Sequence, residues 1–125
     1  MTFDEYEKAS MRHSVMYPKA GDNFIYPALK LAGEAGEAAD KIGKLWRNHD
    51  VTNYTELSNN PRLGVEGMWL QIRLGIMKEL GDVLWYITAL ARELHSSLDE
   101  VAQLNIVKVN DRVSRGKILG EGDSR

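Results

Sequence analysis

The sequence predicts an all-α protein, a bundle of four to five helices. Three observations predict this fold class. Apolar residues recur at helical spacing in the long segments, capping boxes mark two helix starts, and no segment alternates as a strand does. The chain has 125 residues, of which 43% are hydrophobic. These values fit one core, so we expect a single domain over residues 1–125.

The first two helices lie in the first 46 residues. A capping box of Thr2 and Glu5 should begin the first helix. That helix should end near Tyr17, because Pro18 disfavours helical backbone in the residue before it. The second helix is expected from about Tyr26 to Trp46, since proline suits its first turn. Its apolar stripe has 4-3-4-3 spacing and consists of Leu31, Ala35, Ala38, Ile42 and Leu45.

Residues 47–63 have no apolar periodicity and are rich in Asn, Thr, Ser and Asp, so a polar loop is predicted there. A third helix should run from about Val65 to Leu94. Its segment VLWYITALA, Val83 to Ala91, is apolar nearly all round and should be buried on several sides. The core stripe of this helix comprises Ile76, Leu80, Val83, Leu84, Ile87, Ala91 and Leu94.

A fourth helix should begin at a second capping box, formed by Ser97 and Glu100, and end near Gly116. Residues 117–125 are polar and contain glycine, so we expect a flexible C-terminal tail. The apolar side of the fourth helix comprises Leu98, Val101, Ala102, Val109 and Val113.

Charge and composition exclude several function classes. The net charge of −2 gives no reason to expect binding to polymeric nucleic acid. The chain has no cysteine, which excludes disulfides and thiolate metal sites. Its N-terminus is acidic, unlike a signal peptide, and its longest apolar stretch is far below the roughly 20 residues that span a bilayer. We therefore expect a cytoplasmic protein without membrane association.

Two acid pairs stand beside the apolar stripes. Glu34 and Glu37 lie three residues apart on the second helix and share one face. Lys30 and Lys41 stand four residues before and after them, so ordinary surface ion pairs would explain this pair alone. Ordinary surface ion pairs do not explain the second pair, Glu79 and Asp82.

Glu79 and Asp82 are followed at once by the buried segment, and no arginine lies within a turn of either. Burying neighbouring carboxylates is costly unless they are paired or bind metal. If the two helices pack antiparallel, four carboxylates form an all-oxygen site, which suits Mg²⁺ or Mn²⁺. The competing interpretation, a di-iron bundle site, requires the motif Glu-x-x-His. The chain has three histidines, and none of them stands three residues after a glutamate: His13, His49 and His95.

The fourth helix carries a basic stripe beside its apolar face. Asn105, Lys108, Arg112 and Arg115 are spaced by three, four and three residues. A lysine and an arginine one turn apart can bind phosphate oxygens. A solvated basic edge at a helix C-terminus, favoured by the helix dipole, is the alternative interpretation.

Three segments, LAGEAGEAADKIGKLWR, KELGDVLWYITALA and LNIVKVNDRVSRGKILGEGDSR, resemble the MazG-like nucleoside triphosphate pyrophosphohydrolases. This family belongs to the all-α NTP pyrophosphatase superfamily. The resemblance rests on E-x-x-E, E-x-x-D and N-x-x-K-x-x-x-R in that order, from about Tyr26 to the C-terminus with a break in the loop. The ending resembles compact single-domain members, often bacterial or phage-encoded.

The resemblance implies a homodimer or a dimer of dimers that cleaves the α–β phosphate bond of NTPs or dNTPs, giving a monophosphate and pyrophosphate. It implies Mg²⁺, with Mn²⁺ as a substitute, held by Glu34, Glu37, Glu79 and Asp82. It also implies phosphate binding by Lys108 and Arg112, with Asn105 at the position of the family's asparagine. Among the aromatic residues, Tyr86 is best placed to stack on a base, one turn after Asp82.

Two alternatives remain open: a related enzyme acting on phosphoribosyl-ATP or dUTP, and a catalytically silent helical dimerisation or regulatory module. The sequence also departs from the family pattern. The gap between Glu37 and Glu79 is long, and glycines stand at positions 33 and 75, where some members carry a glutamate and a lysine. Lys41 or Lys44 could replace the missing phosphate contact.

Overall fold

The computed structural model describes residues 1–12, 17–64 and 67–116. Within these ranges the chain forms five helices and no strand, which confirms the all-α prediction. In chain order the helices are α1 (Phe3–Ser10), α2 (Ile25–His49), α3 (Tyr54–Asn59), α4 (Met68–Glu93) and α5 (Leu98–Ser114).

The two long helices, α2 and α4, form an antiparallel pair. Near the start of α2, the Lys30 ammonium lies 5.6 Å from the centre of the Tyr86 ring. Further along α2, Lys41 forms an ion pair with Glu79. Residue numbers therefore rise along one helix as they fall along the other. The buried residues of the two helices are mostly small, which allows a close approach: Pro27, Ala38, Thr88, Ala89 and Ala91.

The short helix α1 is attached to both α4 and α5. Thr2 and Glu5 form the predicted capping box at its start. Its end is earlier than the sequence predicted, at Ser10 rather than near Tyr17. The carboxylate of Glu7 accepts a hydrogen bond from the backbone N–H of the first residue of α5, and the indole of Trp85 on α4 donates to the carbonyl of Ser10 over 3.2 Å. These contacts attach α1 to α4 and to the start of α5.

The segment expected to be a polar loop, residues 47–63, contains helical structure and a small core. α2 continues to His49, and Asp50 ends it in the left-handed region with φ of 54°. The side chain of Asn53 then caps α3. Three isolated apolar residues, Val51, Leu57 and Leu63, are buried together against Leu45, Trp69 and Ile72. They stand six residues apart with mostly polar residues between them, so no run of apolar residues marks them in the sequence and only tertiary packing reveals them.

The segment before α2 is fastened to the end of α4. The carboxylate of Glu93 accepts hydrogen bonds from the Tyr17 hydroxyl and from the backbone N–H groups of Gly21 and Asn23. Burial acts to raise the pKa of Glu93, but these hydrogen bonds outweigh it and lower that pKa. Burial, followed by the bond to Glu93, raises the pKa of Tyr17 to about 12. The Tyr17 ring stacks on Tyr26 at 5.2 Å. The contacts of Glu93 with Tyr17, Gly21 and Asn23, here called the latch, therefore also fix the start of α2.

The remaining boundaries lie near those predicted. Ser97 caps α5, accepting from the N–H of Glu100, and α4 begins at Met68 rather than Val65, which lies outside the described residues. The C-terminal tail, residues 117–125, lies outside the described residues too.

No helix in the described ranges is long and apolar enough to cross a bilayer. Several residues predicted to face the core are exposed: Ala35, Ile42, Leu80, Leu94, Val101, Val109 and Val113.

Candidate metal centre

Three acidic side chains converge where α2 and α4 face each other. Glu34 comes from α2, and Glu79 and Asp82 come from α4. One carboxylate oxygen of each residue lies within 4.8 Å of those of the other two. The side chains of Glu34 and Glu79 are only 12% and 16% exposed, while Asp82 is exposed. The cluster therefore has a sheltered floor and one open side.

Helix geometry explains this convergence. Glu79 and Asp82 are one turn apart, so they share one face of α4. The antiparallel packing places Glu34 of α2 opposite them. Beside the cluster, α2 borders an open cleft of about 370 Å³, whose lining residues are Gly33, Gly36, Glu37, Asp40, Lys41 and Lys44. The two glycines leave room there because they have no side chain.

Glu37, the fourth acid predicted from the sequence, does not belong to the cluster. It is exposed and lines the neighbouring cleft instead. The structure thus brings together three of the four predicted ligands, Glu34, Glu79 and Asp82. The role of Glu37 stays a prediction.

Two lysines of α2 neutralise the cluster from either side. Lys30 pairs with Glu34 over 2.8 Å, as their spacing on one helix suggests. The hydrogen bond to Glu34 raises the pKa of Lys30. Lys41, expected to pair with Glu37, instead reaches across to Glu79 on α4 over 3.2 Å. Sequence spacing shows only pairs within one helix, so this interhelical pair had no signal in the sequence.

Two tyrosines, one on α1 and one on α4, are affected by the charges of the cluster. Tyr86 is half-buried, packs edge-on against Trp85 at 4.9 Å and lies under the Lys30 ammonium. Burial raises the pKa of Tyr86, with Lys30 opposing the shift. Burial and, second, the charge of Asp82 raise the pKa of Tyr6 on α1. This electrostatic interaction had no signal in the sequence, because Tyr6 stands 76 positions before Asp82.

The polar residues predicted on α5 lie beside a mainly apolar groove. Asn105 and Lys108 line this groove, which has a volume of about 560 Å³, and Arg112 is half-buried one turn later. Leu84, two residues after Asp82, forms part of its α4 wall. The other lining residues are Phe3, Ile87, Leu98, Val101, Ala102 and Leu104. A phosphate-binding role for Asn105, Lys108 and Arg112 stays a prediction.

The chemistry of the cluster fits a hard divalent cation. Its three donors are all carboxylate oxygens, and the cluster contains no histidine. Mg²⁺ and Mn²⁺ prefer such ligands, whereas a di-iron bundle site requires histidine as well. The lysines beside Glu34 and Glu79 show independently that the cluster attracts positive charge.

Comparisons with known proteins identify the family of the chain. The chain is 36% identical over 130 aligned residues, covering both chains completely, to the Gene 37 protein of Mycobacterium phage L5. No solved structure matches the chain. The sequence model of the MazG nucleotide pyrophosphohydrolase domain matches residues 27–115, from the start of α2 to the end of α5. The chain therefore belongs to the MazG nucleotide pyrophosphohydrolase family.

Proposed function

We propose that this protein is a Mg²⁺-dependent nucleoside triphosphate pyrophosphohydrolase. It cleaves the α–β phosphate bond of an NTP or dNTP and releases a nucleoside monophosphate and pyrophosphate. The observation that carries the proposal is the convergence of Glu34, Glu79 and Asp82 within 4.8 Å, inside the segment that matches the family.

Glu34, Glu79 and Asp82 would hold the metal ion, because they supply oxygens from both helices to one point. The bound ion supplies charge neutralisation for the phosphates and a lowered pKa for a water molecule. The open side at Asp82 leaves access for the triphosphate, while the sheltered positions of Glu34 and Glu79 keep their carboxylates fixed. Mn²⁺ would substitute, since it prefers the same ligands.

Glu37 has two chemically reasonable roles. It follows Glu34 by one helical turn and lines the cleft beside the cluster. From there its carboxylate can complete the ligand set, or it can accept the proton of the attacking water as a general base. Glu37→Gln distinguishes these roles: a ligand's loss weakens Mn²⁺ binding, whereas a base's loss lowers kcat and leaves Mn²⁺ binding intact.

The rest of the substrate would be bound by residues of α5 and α4. Lys108 and Arg112 are the proposed phosphate ligands, since an ammonium and a guanidinium one turn apart match phosphate oxygens. Asn105 can donate an amide hydrogen bond from the same face of α5. Tyr86 is the proposed stacking partner for the base, since its ring lies one turn after Asp82.

The test is to measure pyrophosphate and orthophosphate release from a panel of NTPs and dNTPs with Mg²⁺, with Mn²⁺ and with EDTA. The proposal expects metal-dependent release of pyrophosphate and monophosphate, abolished by EDTA. Dominant release of orthophosphate would show that a different bond is cleaved.

The same panel separates the alternatives. Turnover restricted to dUTP, or absent until phosphoribosyl-ATP is supplied, would identify a related enzyme with another substrate. Absence of turnover with all of these substrates, in a protein that remains folded and oligomeric, would support a silent dimerisation or regulatory module.

A further inference from the structure

We infer that Lys41, together with Lys30, is an internal counter-ion of the acidic cluster. A metal ion must displace this counter-ion, so the lysines set the affinity of the cluster for metal. This inference rests on the metal site of the proposed function and concerns residues that are not metal ligands themselves. The observation behind it is that each sheltered carboxylate of the cluster has its own ammonium partner: Lys30 on Glu34 and Lys41 on Glu79.

The need for counter-ions follows from the electrostatics of the cluster. Three carboxylates whose oxygens lie within 4.8 Å of one another repel strongly when all are charged. Two of them are largely screened from water, so solvent relieves little of this repulsion. Lys30 and Lys41 offset two of the three negative charges and so hold α2 and α4 together.

The geometry also makes the lysines displaceable. Glu34 and Glu79 are 12% and 16% exposed, whereas the side chains of Lys30 and Lys41 are 40% and 44% exposed. The carboxylates are therefore fixed, while the ammonium groups have water beside them. A lysine stem is long and flexible, so its ammonium can return to solvent without movement of the helix.

Lys41 is the more informative of the two lysines. Lys30 also contacts the Tyr86 ring, so its removal changes more than one interaction. Lys41 instead joins the two helices through its ion pair with Glu79. A divalent ion binding to Glu79 competes directly with this ion pair.

A matched control exists one turn along the same helix. Lys44 pairs with Asp40 over 2.5 Å, and both side chains are well exposed. Its pair lies outside the acidic cluster. Lys44→Met thus removes the same charge from the same helix without removing a counter-ion of the cluster.

The experiment compares the wild type, Lys41→Met, Lys44→Met and the charge-preserving Lys41→Arg. Mn²⁺ affinity is measured by calorimetric titration without nucleotide, and thermal unfolding is followed in EDTA. We expect Lys41→Met to bind Mn²⁺ about three- to tenfold more tightly, since no ammonium competes for Glu79. In EDTA its Tm should fall by about 2 °C, because the repulsion is no longer offset. Lys44→Met and Lys41→Arg should stay near the wild type in both measurements.

The outcomes separate this inference from the proposed function. Unchanged or weaker Mn²⁺ binding by Lys41→Met, in a wild type that binds Mn²⁺, overturns the inference and leaves the proposed function intact. An equal gain in Lys44→Met also overturns it, because the effect would then be one of net charge. Failure of the wild type to bind Mn²⁺ overturns both. If Lys41→Met does not fold, Lys30→Met tests the same competition at Glu34, and unchanged Mn²⁺ affinity there overturns the inference.

Discussion

The carboxylates of the cluster differ in how each can be tested. Asp82 is exposed, and it is the residue that opens the cluster to solvent. Glu34 and Glu79 are engaged with lysines, so their substitution would also leave an ammonium group without its partner. Asp82 is therefore the cleanest position at which to test the metal site.

Asp82→Asn should lower turnover at least about 100-fold, because it removes a charged ligand while keeping the side-chain shape. In EDTA its Tm should equal or exceed that of the wild type, since one repulsive charge has gone. Pyrophosphate release, Mn²⁺ titration and thermal unfolding measure these effects. Asp40→Asn, an exposed acid outside the cluster, serves as the control. Full activity in Asp82→Asn would exclude Asp82 as a ligand.

Glu93 is expected to make stability depend on acidic pH. Its pKa is lowered from the ordinary 4.5 in the folded state. Its contribution is therefore present above about pH 4.5 and is lost as the pH falls through the lower, folded pKa. Glu93→Gln should cost about 1 kcal/mol at pH 7, because three hydrogen bonds lose their charged acceptor.

The difference between Glu93→Gln and the wild type should shrink toward pH 3. Urea unfolding at pH 7, 5 and 3 measures this convergence, with Asp40→Asn as the control for loss of an exposed acid. A constant difference at all three pH values would show that the latch does not depend on the charge of Glu93.

At the scale of elements, the segment between α2 and α4 owes its shape to close backbone packing after α3. A Cβ atom at Gly64 would lie 2.8 Å from the carbonyl oxygen of Asn60 and 3.0 Å from that of Ser58. Both atoms belong to the backbone, so they cannot move aside as a flexible side chain would. Glycine is therefore required where the chain closes the small core around Val51, Leu57 and Leu63.

Gly64→Ala should destabilise the protein by about 1–3 kcal/mol because the added methyl group overpacks this turn. Gly43→Ala is the matched comparison, since Gly43 lies inside α2 and a Cβ there meets nothing within 4 Å. That change should stabilise by about 0.5–1 kcal/mol through helix propensity. Urea unfolding checks both, and equal effects of the two substitutions would contradict the packing argument.

For the whole molecule, the distribution of apolar surface predicts self-association. Large apolar side chains are exposed on all of the long helices, among them Leu29 and Trp46 on α2, Leu74 on α4, and Leu104 and Val107 on α5. Exposed apolar surface of this extent is typical of subunit interfaces. It supports the homodimer or dimer of dimers that the family resemblance implies.

Size-exclusion chromatography with light scattering should give the mass of a dimer or tetramer at micromolar concentration. Leu74→Glu and Val107→Glu place a charge on α4 and α5, and the variant that lowers the mass identifies the interface. Gln103→Glu, an exposed polar position on α5, controls for added charge. A monomeric wild type would refute the prediction.

Helical periodicity determined the approximate positions of α2 and α4 from the sequence alone, and the capping box of Ser97 and Glu100 determined the start of α5. Both signals are local properties of the chain. The spacing of Glu34, Glu79 and Asp82 relative to the apolar stripes also pointed to the acidic cluster. Local patterns did not reveal α3, whose neighbouring apolar residues Val51 and Leu63 are isolated in the sequence. The local patterns also predicted an end of α1 near Tyr17, which is later than the observed end at Ser10.

Tertiary structure decided which acids meet and what neutralises them. Glu37 has the same local surroundings as Glu34, yet only Glu34 joins the cluster, because the axial alignment of α2 against α4 selects one turn. The same packing pairs Lys41 with Glu79 on α4 and not with Glu37 on its own helix. It also brings Tyr6 close enough to Asp82 for the charge of Asp82 to raise the pKa of Tyr6. Distances between helices depend on how their surfaces fit together, and spacing along a single chain carries no measure of that fit.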